Sequence, residues 1–167
     1  LVSKDRTAAI ATDGRYTTQI GEEVPDIAAT IERNVGVAML SKAAEGHRVG
    51  FEADYVSVAQ LEKLREACPE GVTLVPVSGV IEEIRLTKDN LELTRLTEAA
   101  ELTVQALDGL LEAGELRAGR SEREVAADLE YRMRVLGAER VSFDTIVASG
   151  PNSAKPHHGA GDRVIAE

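Results

Sequence analysis

The sequence is poor in the residues that mark several common classes of protein. Among 167 residues there is no tryptophan, one cysteine and 3% aromatic residues. Cys68 alone can form neither an internal disulfide nor a cysteine-ligated zinc site, which favours a buried structural thiol in a reducing cytoplasm. No apolar run approaches the ~20 residues that a membrane-spanning helix requires. These absences predict a cytoplasmic protein that has no membrane as a partner.

Basic residues are scattered and outnumbered. The 19 lysines and arginines face 29 aspartates and glutamates, which gives a net charge of -10. Such a surface repels phosphate backbones and anionic lipid, so neither nucleic acid nor a membrane surface is expected as a partner. The 43% of hydrophobic residues suits a packed core, and the length suits either one domain of ordinary size or one small domain with part of a second.

Residues 1–80 alternate between strand patterns and helix patterns. Short runs of apolar and β-branched residues predict strands at 7–12, 26–32, 48–53 and 72–77. Apolar residues at helical spacing predict one helix after Asn34 and another after Ser57. This alternation is typical of an α/β layer. A change to consecutive helices divides the chain into domains at 1–80 and 81–167.

Two longer helices are predicted in the second domain. Asp89 with Glu92, and Ser121 with Glu124, are the residue pairs of a capping box at a helix start. Each helix is expected to end at a glycine, Gly114 and Gly137 respectively. The first helix carries one apolar stripe, formed by Leu93, Leu96, Ala100, Val104, Leu107 and Leu111.

Residues 141–149 alternate in polarity and predict a strand, which a turn at 150–153 follows. Next come Pro156 and two histidines, His157 and His158. Pro156 biases the residue before it toward extended geometry, so the segment should leave the turn as a strand or an exposed bend. Adjacent residues of an extended chain point to opposite faces, which disfavours chelation of one metal ion by both rings.

His157 and His158 form the one concentration of side chains suited to proton chemistry. One interpretation is a single imidazole that donates a hydrogen bond to a carbonyl oxygen as this becomes an oxyanion. The other interpretation is a pair of ordinary loop histidines. Residue types and spacing leave both open.

Three stretches resemble the Xaa-Pro peptidases of the pita-bread fold. Residues 12–16 (TDGRY) resemble a signature of their amino-terminal domain, and residues 85–93 (RLTKDNLEL) resemble the opening of the pita-bread domain. Residues 142–158 (SFDTIVASGPNSAKPHH) look like the longest and most specific of the family's segments. The three occur in the family's order, and the resemblance covers essentially the whole chain.

The resemblance implies a creatinase-like amino-terminal α/β domain, followed by the first helices and strand of an α+β pita-bread domain. It implies a homodimeric exopeptidase that cleaves Xaa-Pro bonds of proline-containing peptides, as an aminopeptidase or a dipeptidase. His157 falls on the family's catalytic histidine, which binds the substrate beside the scissile bond. Phe143 falls on an aromatic position that faces the substrate cleft, and a core aromatic is its alternative.

The family also implies two divalent metal ions (manganese, cobalt or zinc), held by aspartates, a histidine and glutamates. The resemblance puts all of these ligands beyond Glu167, and it leaves the first strand and helix of the amino-terminal domain unmatched. We therefore expect a chain cut at both ends that binds no catalytic metal. Alone it should be inactive and should self-associate through unpaired apolar faces.

Two other functions are compatible with the same resemblance. Creatine amidinohydrolase shares the fold without the metal ions, so different amide chemistry is one alternative. Pita-bread domains that lack metal ligands serve as peptide-binding or protein-binding modules, which is the other.

Overall fold

The computed structural model describes residues 1–167 as two compact units, Leu1–Leu86 and Thr87–Glu167. Each unit has its own secondary structure and is described by itself. The domain boundary expected between residues 80 and 81 falls at the first residue of the last helix of the first unit, Val80–Leu86.

The first unit alternates strands and helices, as its sequence predicts. Its strands are β1 (Ile10–Thr12), β2 (Ala29–Ile31), β3 (Arg48–Glu52) and β4 (Thr73–Val77). Its helices are α1 (Thr17–Glu23), α2 (Val35–Leu40), α3 (Val58–Glu66) and α4 (Val80–Leu86). β1 pairs with β2 and β3 pairs with β4, both in parallel, so the strands form two separate two-stranded sheets. A helix connects the two strands of each pair, which is the crossover that parallel pairing requires.

Local signals explain why some of these helices are predicted and others are not. Ser57 caps α3: its hydroxyl accepts a hydrogen bond from the Gln60 backbone at 3.2 Å, and the Gln60 side chain accepts one from the Ser57 backbone at 2.8 Å. By contrast, Tyr16 and Asn34 precede α1 and α2 without any side-chain capping bond. The sequence predicts α3 from its cap and α2 from apolar residues at helical spacing, and it misses α1 and α4.

The TDGRY stretch forms the end of β1 and a 3-10 turn. Asp13 accepts a hydrogen bond from the Arg15 backbone at 2.9 Å, and its second oxygen accepts one from the Arg15 guanidinium at 2.6 Å. These hydrogen bonds lower the pKa of Asp13 to about 2. The Thr17 hydroxyl donates a hydrogen bond to the backbone oxygen of Gly14 at 3.0 Å, which closes the turn. The charged side chains of this motif are thus paired with each other within the turn.

The second unit contains the two predicted longer helices, α5 (Asn90–Glu112) and α6 (Glu122–Val135). Both capping boxes are confirmed, with Asp89 and Glu92 at the start of α5 and with Ser121 and Glu124 at the start of α6. Positive φ angles of 66° and 113° follow the two helices at the predicted glycines, Gly114 and Gly137.

A small core joins α5 to α6. Arg132 Nη1 on α6 donates a hydrogen bond to the backbone oxygen of Gly109 on α5 at 2.8 Å, and Arg132 Nε pairs with Asp128 at 2.9 Å. Gly109 permits this approach, because a Cβ atom there would lie 3.3 Å from the guanidinium. The fully or nearly fully buried apolar residues of this core are Ala106, Leu110, Val125 and Ala126.

The predicted apolar stripe of α5 lies largely outside this core. Its large members, from Leu93 to Leu111, are 43–57% exposed, whereas Ala106 and Leu110 on the neighbouring face are buried. The stripe therefore marks an uncovered face of the helix and not the face that packs on α6. Exposed apolar area of this kind favours association.

We expect residues 1–167 expressed alone to self-associate through this stripe. The apparent mass measured by light scattering after gel filtration should rise with protein concentration. The paired substitution Leu96→Glu and Val104→Glu should lower that mass, because each glutamate would have to be desolvated in the associated state. Thr94→Glu with Thr103→Glu adds the same two charges at exposed positions of the same helix outside the stripe and serves as the control. A single monomer mass at every concentration would contradict the expectation.

The strand predicted for residues 141–149 is wrong. No residue of this segment belongs to a β-strand, and no other segment within residues 1–167 forms a β-sheet with it. Alternating polarity describes a chain that could lie in a sheet, but a strand also needs a neighbour to complete its backbone hydrogen bonds. At the amino terminus, Val2 makes only an isolated antiparallel bridge to Ala8.

Cys68 is half-buried and not fully buried as expected, with its thiol 3.5 Å from the backbone oxygen of Val72. The longest helix is α5, and neither it nor any other helix combines the length with the apolar character that a membrane span requires.

Candidate functional site

A fully buried carboxylate lies at the start of α6. Glu122 is the first residue of the helix, directly after its N-cap Ser121, and it is 0% exposed. The carboxy-terminal segment runs antiparallel beside this helix start. Backbone hydrogen bonds join Glu122 to Arg163 at 3.0 Å and Arg123 to Gly161 at 3.0 Å. The cap and this neighbouring segment together enclose the side chain.

The Glu122 carboxylate gathers donors from one loop, residues 149–161. Oε1 accepts from the Ser149 backbone at 2.7 Å and from the Ser149 hydroxyl at 2.9 Å. Asn152 Nδ2 lies 3.0 and 3.1 Å from the two oxygens, and His158 Nε2 lies 2.7 Å from Oε2. The Gly161 backbone lies at 3.5 Å. We call these five residues the Glu122 cluster.

The cluster determines the ionisation of its carboxylate. Burial by itself raises the pKa of Glu122, but hydrogen bonds from His158, Asn152 and Ser149 outweigh burial and hold the pKa well below its ordinary value. An ionised carboxylate only accepts hydrogen bonds. The hydrogen between Glu122 and His158 is therefore carried by Nε2 of the ring.

The two adjacent histidines occupy different environments. His158 is directed at Glu122 and its side chain is 12% exposed, whereas His157 lies in an exposed turn with Pro156. Lys155 before them has the predicted extended geometry (φ -102°, ψ 110°). The segment leaves the preceding 3-10 turn, Gly150–Ala154, as the exposed bend that was one of the two predicted alternatives. His158 is thus half-buried and hydrogen-bonded, whereas His157 is exposed.

Phe143 lies in the irregular segment that leads into the cluster. Its ring is 73% exposed, so it does not contribute to the core of this structure. It is an accessible aromatic surface in the same unit as His157.

The residues present do not fit a metal ion. No three or more histidine, cysteine, aspartate or glutamate side chains come together within residues 1–167. Glu122 is surrounded by N–H and O–H donors, which occupy the lone pairs of its carboxylate that a cation would need. The Glu122 cluster is therefore a hydrogen-bond network and not a set of metal ligands.

Sequence reasoning missed Glu122. A glutamate in the first turn of a helix is ordinarily explained by the helix dipole and by solvent exposure. The distinguishing signal lies 27 to 36 residues away, in the donors Ser149, Asn152 and His158. Only the folding of that loop over the helix start brings these donors to the carboxylate.

Two protein-family models match the chain. The creatinase/prolidase N-terminal domain matches residues 1–87, and metallopeptidase family M24 matches residues 94–167. The first match alone covers more than half of the chain. Between them they span both units of the structure.

Known proteins are similar over nearly the whole chain. An uncharacterized peptidase of Bacillus subtilis, YqhT, is 34% identical over 168 residues, which are 99% of this chain and 46% of that protein. The structure of an Xaa-Pro dipeptidase from Bacillus anthracis matches with a TM-score of 0.81 at 32% identity, over 93% of this chain and 44% of that one. An X-Pro aminopeptidase from Thermotoga maritima matches with a TM-score of 0.78 at 33% identity, over 93% and 43%.

The chain spans about half the length of these relatives. The fold class predicted from the sequence is confirmed, since a creatinase-like α/β domain precedes the start of an α+β pita-bread domain. The chain belongs to the pita-bread Xaa-Pro peptidase family.

Proposed function

We propose that the whole protein containing this chain is a metal-dependent exopeptidase that hydrolyses Xaa-Pro bonds, with His157 binding the substrate at the scissile bond. Family membership supports the class of reaction. The observation that carries the residue assignment is the exposed His157 beside a half-buried, carboxylate-bound His158. An exposed ring on an anchored loop is suited to meet a ligand in a fixed direction.

The role proposed for His157 is hydrogen-bond donation. An imidazole N–H directed at the carbonyl oxygen of the scissile bond stabilises the charge that gathers on this oxygen in the tetrahedral intermediate. A single donor of this kind contributes about 10²–10³-fold to the rate. Phe143 is proposed to offer its exposed ring to the apolar part of the substrate, for which the proline ring is suited.

Two divalent ions, manganese, cobalt or zinc, are part of the proposal for the whole protein. When bound, such ions polarise the carbonyl and lower the pKa of a coordinated water. The proposal assigns their ligands to residues outside 1–167, as the family resemblance implies. It also holds that residues 1–167 alone are inactive, and that the whole protein works as a cytoplasmic homodimer.

Hydrolysis of proline peptides by the full-length protein tests this function. With manganese, cobalt or zinc added, we expect cleavage of Ala-Pro peptides to exceed cleavage of the matched Ala-Ala peptides by at least about tenfold in kcat/KM. A dipeptide and a tripeptide compared side by side separate dipeptidase from aminopeptidase activity. Residues 1–167 alone are the control and should show no activity. Failure to cleave Xaa-Pro bonds with any of the three metals would contradict the proposal.

A further inference from the structure

The loop that carries His157 is anchored chiefly by one side chain. Glu122 bonds it near its beginning at Ser149, in its middle at Asn152 and near its end at His158. The side-chain amide of Asn152 extends this hydrogen-bond network to Lys155, because its oxygen accepts a hydrogen bond from Lys155 Nζ at 2.8 Å. A buried residue 35 positions before His157 in the sequence therefore holds the chain on both sides of it.

We infer that Glu122 is a positioning residue for the peptidase reaction: through His158, Asn152 and Ser149 it holds loop 149–161 so that the ring of His157 faces the substrate. This inference rests on the proposed function, since it assigns Glu122 to the same site. Glu122 does not contact the substrate itself, because it is 0% exposed. Its effect reaches the reaction through the backbone of the loop.

The connection between the two histidines is short. Consecutive Cα atoms are about 3.8 Å apart across a planar peptide bond, so an anchored His158 fixes the place of the His157 Cα atom, and only the adjoining backbone torsions and the side-chain torsions of His157 remain to direct its ring. With the ring of His158 fixed 2.7 Å from Glu122, the ring of His157 remains on the exposed side of the turn. Release of His158 would let both rings sample other directions.

The chemistry of the cluster requires a carboxylate at position 122. Two carboxylate oxygens provide about four lone-pair positions, and here they meet donors from Ser149, Asn152 and His158. Glutamine has the same shape but replaces one oxygen with an NH₂ group. At least one donor of the cluster would then face another donor, in a site closed to water.

A second contact connects the loop to the helix start. Gly150 has a φ of 51°, and a Cβ atom there would lie 2.7 Å from the guanidinium of Arg163. Arg163 is also the residue whose backbone oxygen accepts a hydrogen bond from the Glu122 backbone. The loop and the helix start thus both lie against Arg163.

Kinetics of the full-length protein test the inference. We expect Glu122→Gln to lower kcat on an Ala-Pro peptide by about 10–100-fold, with KM within about threefold of wild type. The reason is that the hydrogen bond from His157 is proposed to act mainly in the transition state, so a wrongly directed ring lowers kcat more than it weakens substrate binding. Glu124→Gln is the matched control on the same helix turn. The side chain of Glu124 bonds Ser121 and no member of the loop, so the kcat of this variant should stay within about twofold of wild type. A Glu122→Gln protein with wild-type kcat and a lowered Tm would overturn the inference, since Glu122 would then be structural only.

A conservative rescue at His158 provides a second test if Glu122→Gln fails to fold. The amide of glutamine donates a hydrogen bond as Nε2 of His158 does, whereas alanine does not. We expect His158→Gln to keep kcat within about threefold of wild type and His158→Ala to lose about tenfold or more. Equal losses in the two variants would overturn the inference, because the hydrogen bond to Glu122 would not be what matters.

A spectroscopic readout separates failure of this inference from failure of the proposed function. If the wild-type protein cleaves no Xaa-Pro bond, the proposed function fails, and the ring signals of His157 in a ¹H–¹³C NMR spectrum decide the inference. Glu122→Gln should shift or broaden them, and Glu124→Gln should leave them in place. Unchanged His157 signals in Glu122→Gln would overturn the positioning role whatever the activity.

Discussion

Replacing His157 with alanine is expected to lower kcat of the full-length protein on an Xaa-Pro peptide by about 10²–10³-fold. The reason is that alanine removes the donor proposed to stabilise the developing oxyanion while leaving the anchored loop intact. His157 takes no part in the hydrogen bonds of the Glu122 cluster, so its loss should not loosen Ser149, Asn152 or His158. The Tm should therefore stay close to that of wild type. Steady-state kinetics and a thermal melt of the same preparation measure the two effects.

Two further variants make this result specific. His157→Gln keeps a side-chain N–H and should recover part of the lost rate. His47→Ala removes an exposed histidine from a loop of the first unit and should leave kcat unchanged. If His157→Ala hydrolysed Xaa-Pro bonds at the wild-type rate, His157 would be an ordinary loop histidine and the catalytic assignment would be wrong.

The second large effect is a loss of thermal stability when the Glu122 cluster is broken or protonated. At neutral pH we expect Glu122→Gln to lower the Tm by roughly ten degrees or more, since a buried hydrogen-bonded group loses its matched partners. The pKa of Glu122 in the folded state lies below its ordinary value of 4.5. The unfolded chain therefore binds more protons than the folded one in the acid range. The stabilisation is complete above pH 4.5 and is lost as the pH falls toward the folded pKa.

Melting curves recorded from neutral pH to acid check this linkage. The Tm of the wild type should fall steeply below pH 4.5, and Glu122→Gln should show a shallower fall from a lower starting point. Some slope should remain in the variant, because hydrogen bonds from Arg120 and Arg132 outweigh burial at Asp128 and also lower its pKa. Parallel curves for the two proteins would mean that Glu122 contributes nothing to acid unfolding.

Elements with local signals could be predicted from the sequence. Each of the two longer helices begins with a capping box that lies within four consecutive residues. The pairs are Asp89 with Glu92 and Ser121 with Glu124, and both capping boxes form as predicted. Capping depends on groups that are close together in the chain, so one sequence is enough to find it. In the first unit the four strands and the helices α2 and α3 are found in the same way, whereas α1 and α4 are not.

Elements that depend on distant partners could not be predicted. Residues 141–149 carry a strand pattern, yet they form no strand, because their pattern does not reveal whether another chain segment lies beside them. The α5 stripe is correctly found as apolar, but the sequence does not tell which face α6 covers. Glu122 looks like any acidic residue in a first helical turn, and only its contact with His158, 36 residues away, shows that it is buried.

The central claim is that an anchored loop directs His157 at the scissile bond. A crystal structure of the full-length protein, with its metal ions and a non-hydrolysable Xaa-Pro analogue, tests it most directly. The account predicts a His157 ring nitrogen about 2.7–3.1 Å from the oxygen that mimics the oxyanion, with the bond between Glu122 and His158 intact. A ring turned away from the bound analogue, with the Glu122 cluster still formed, would contradict it.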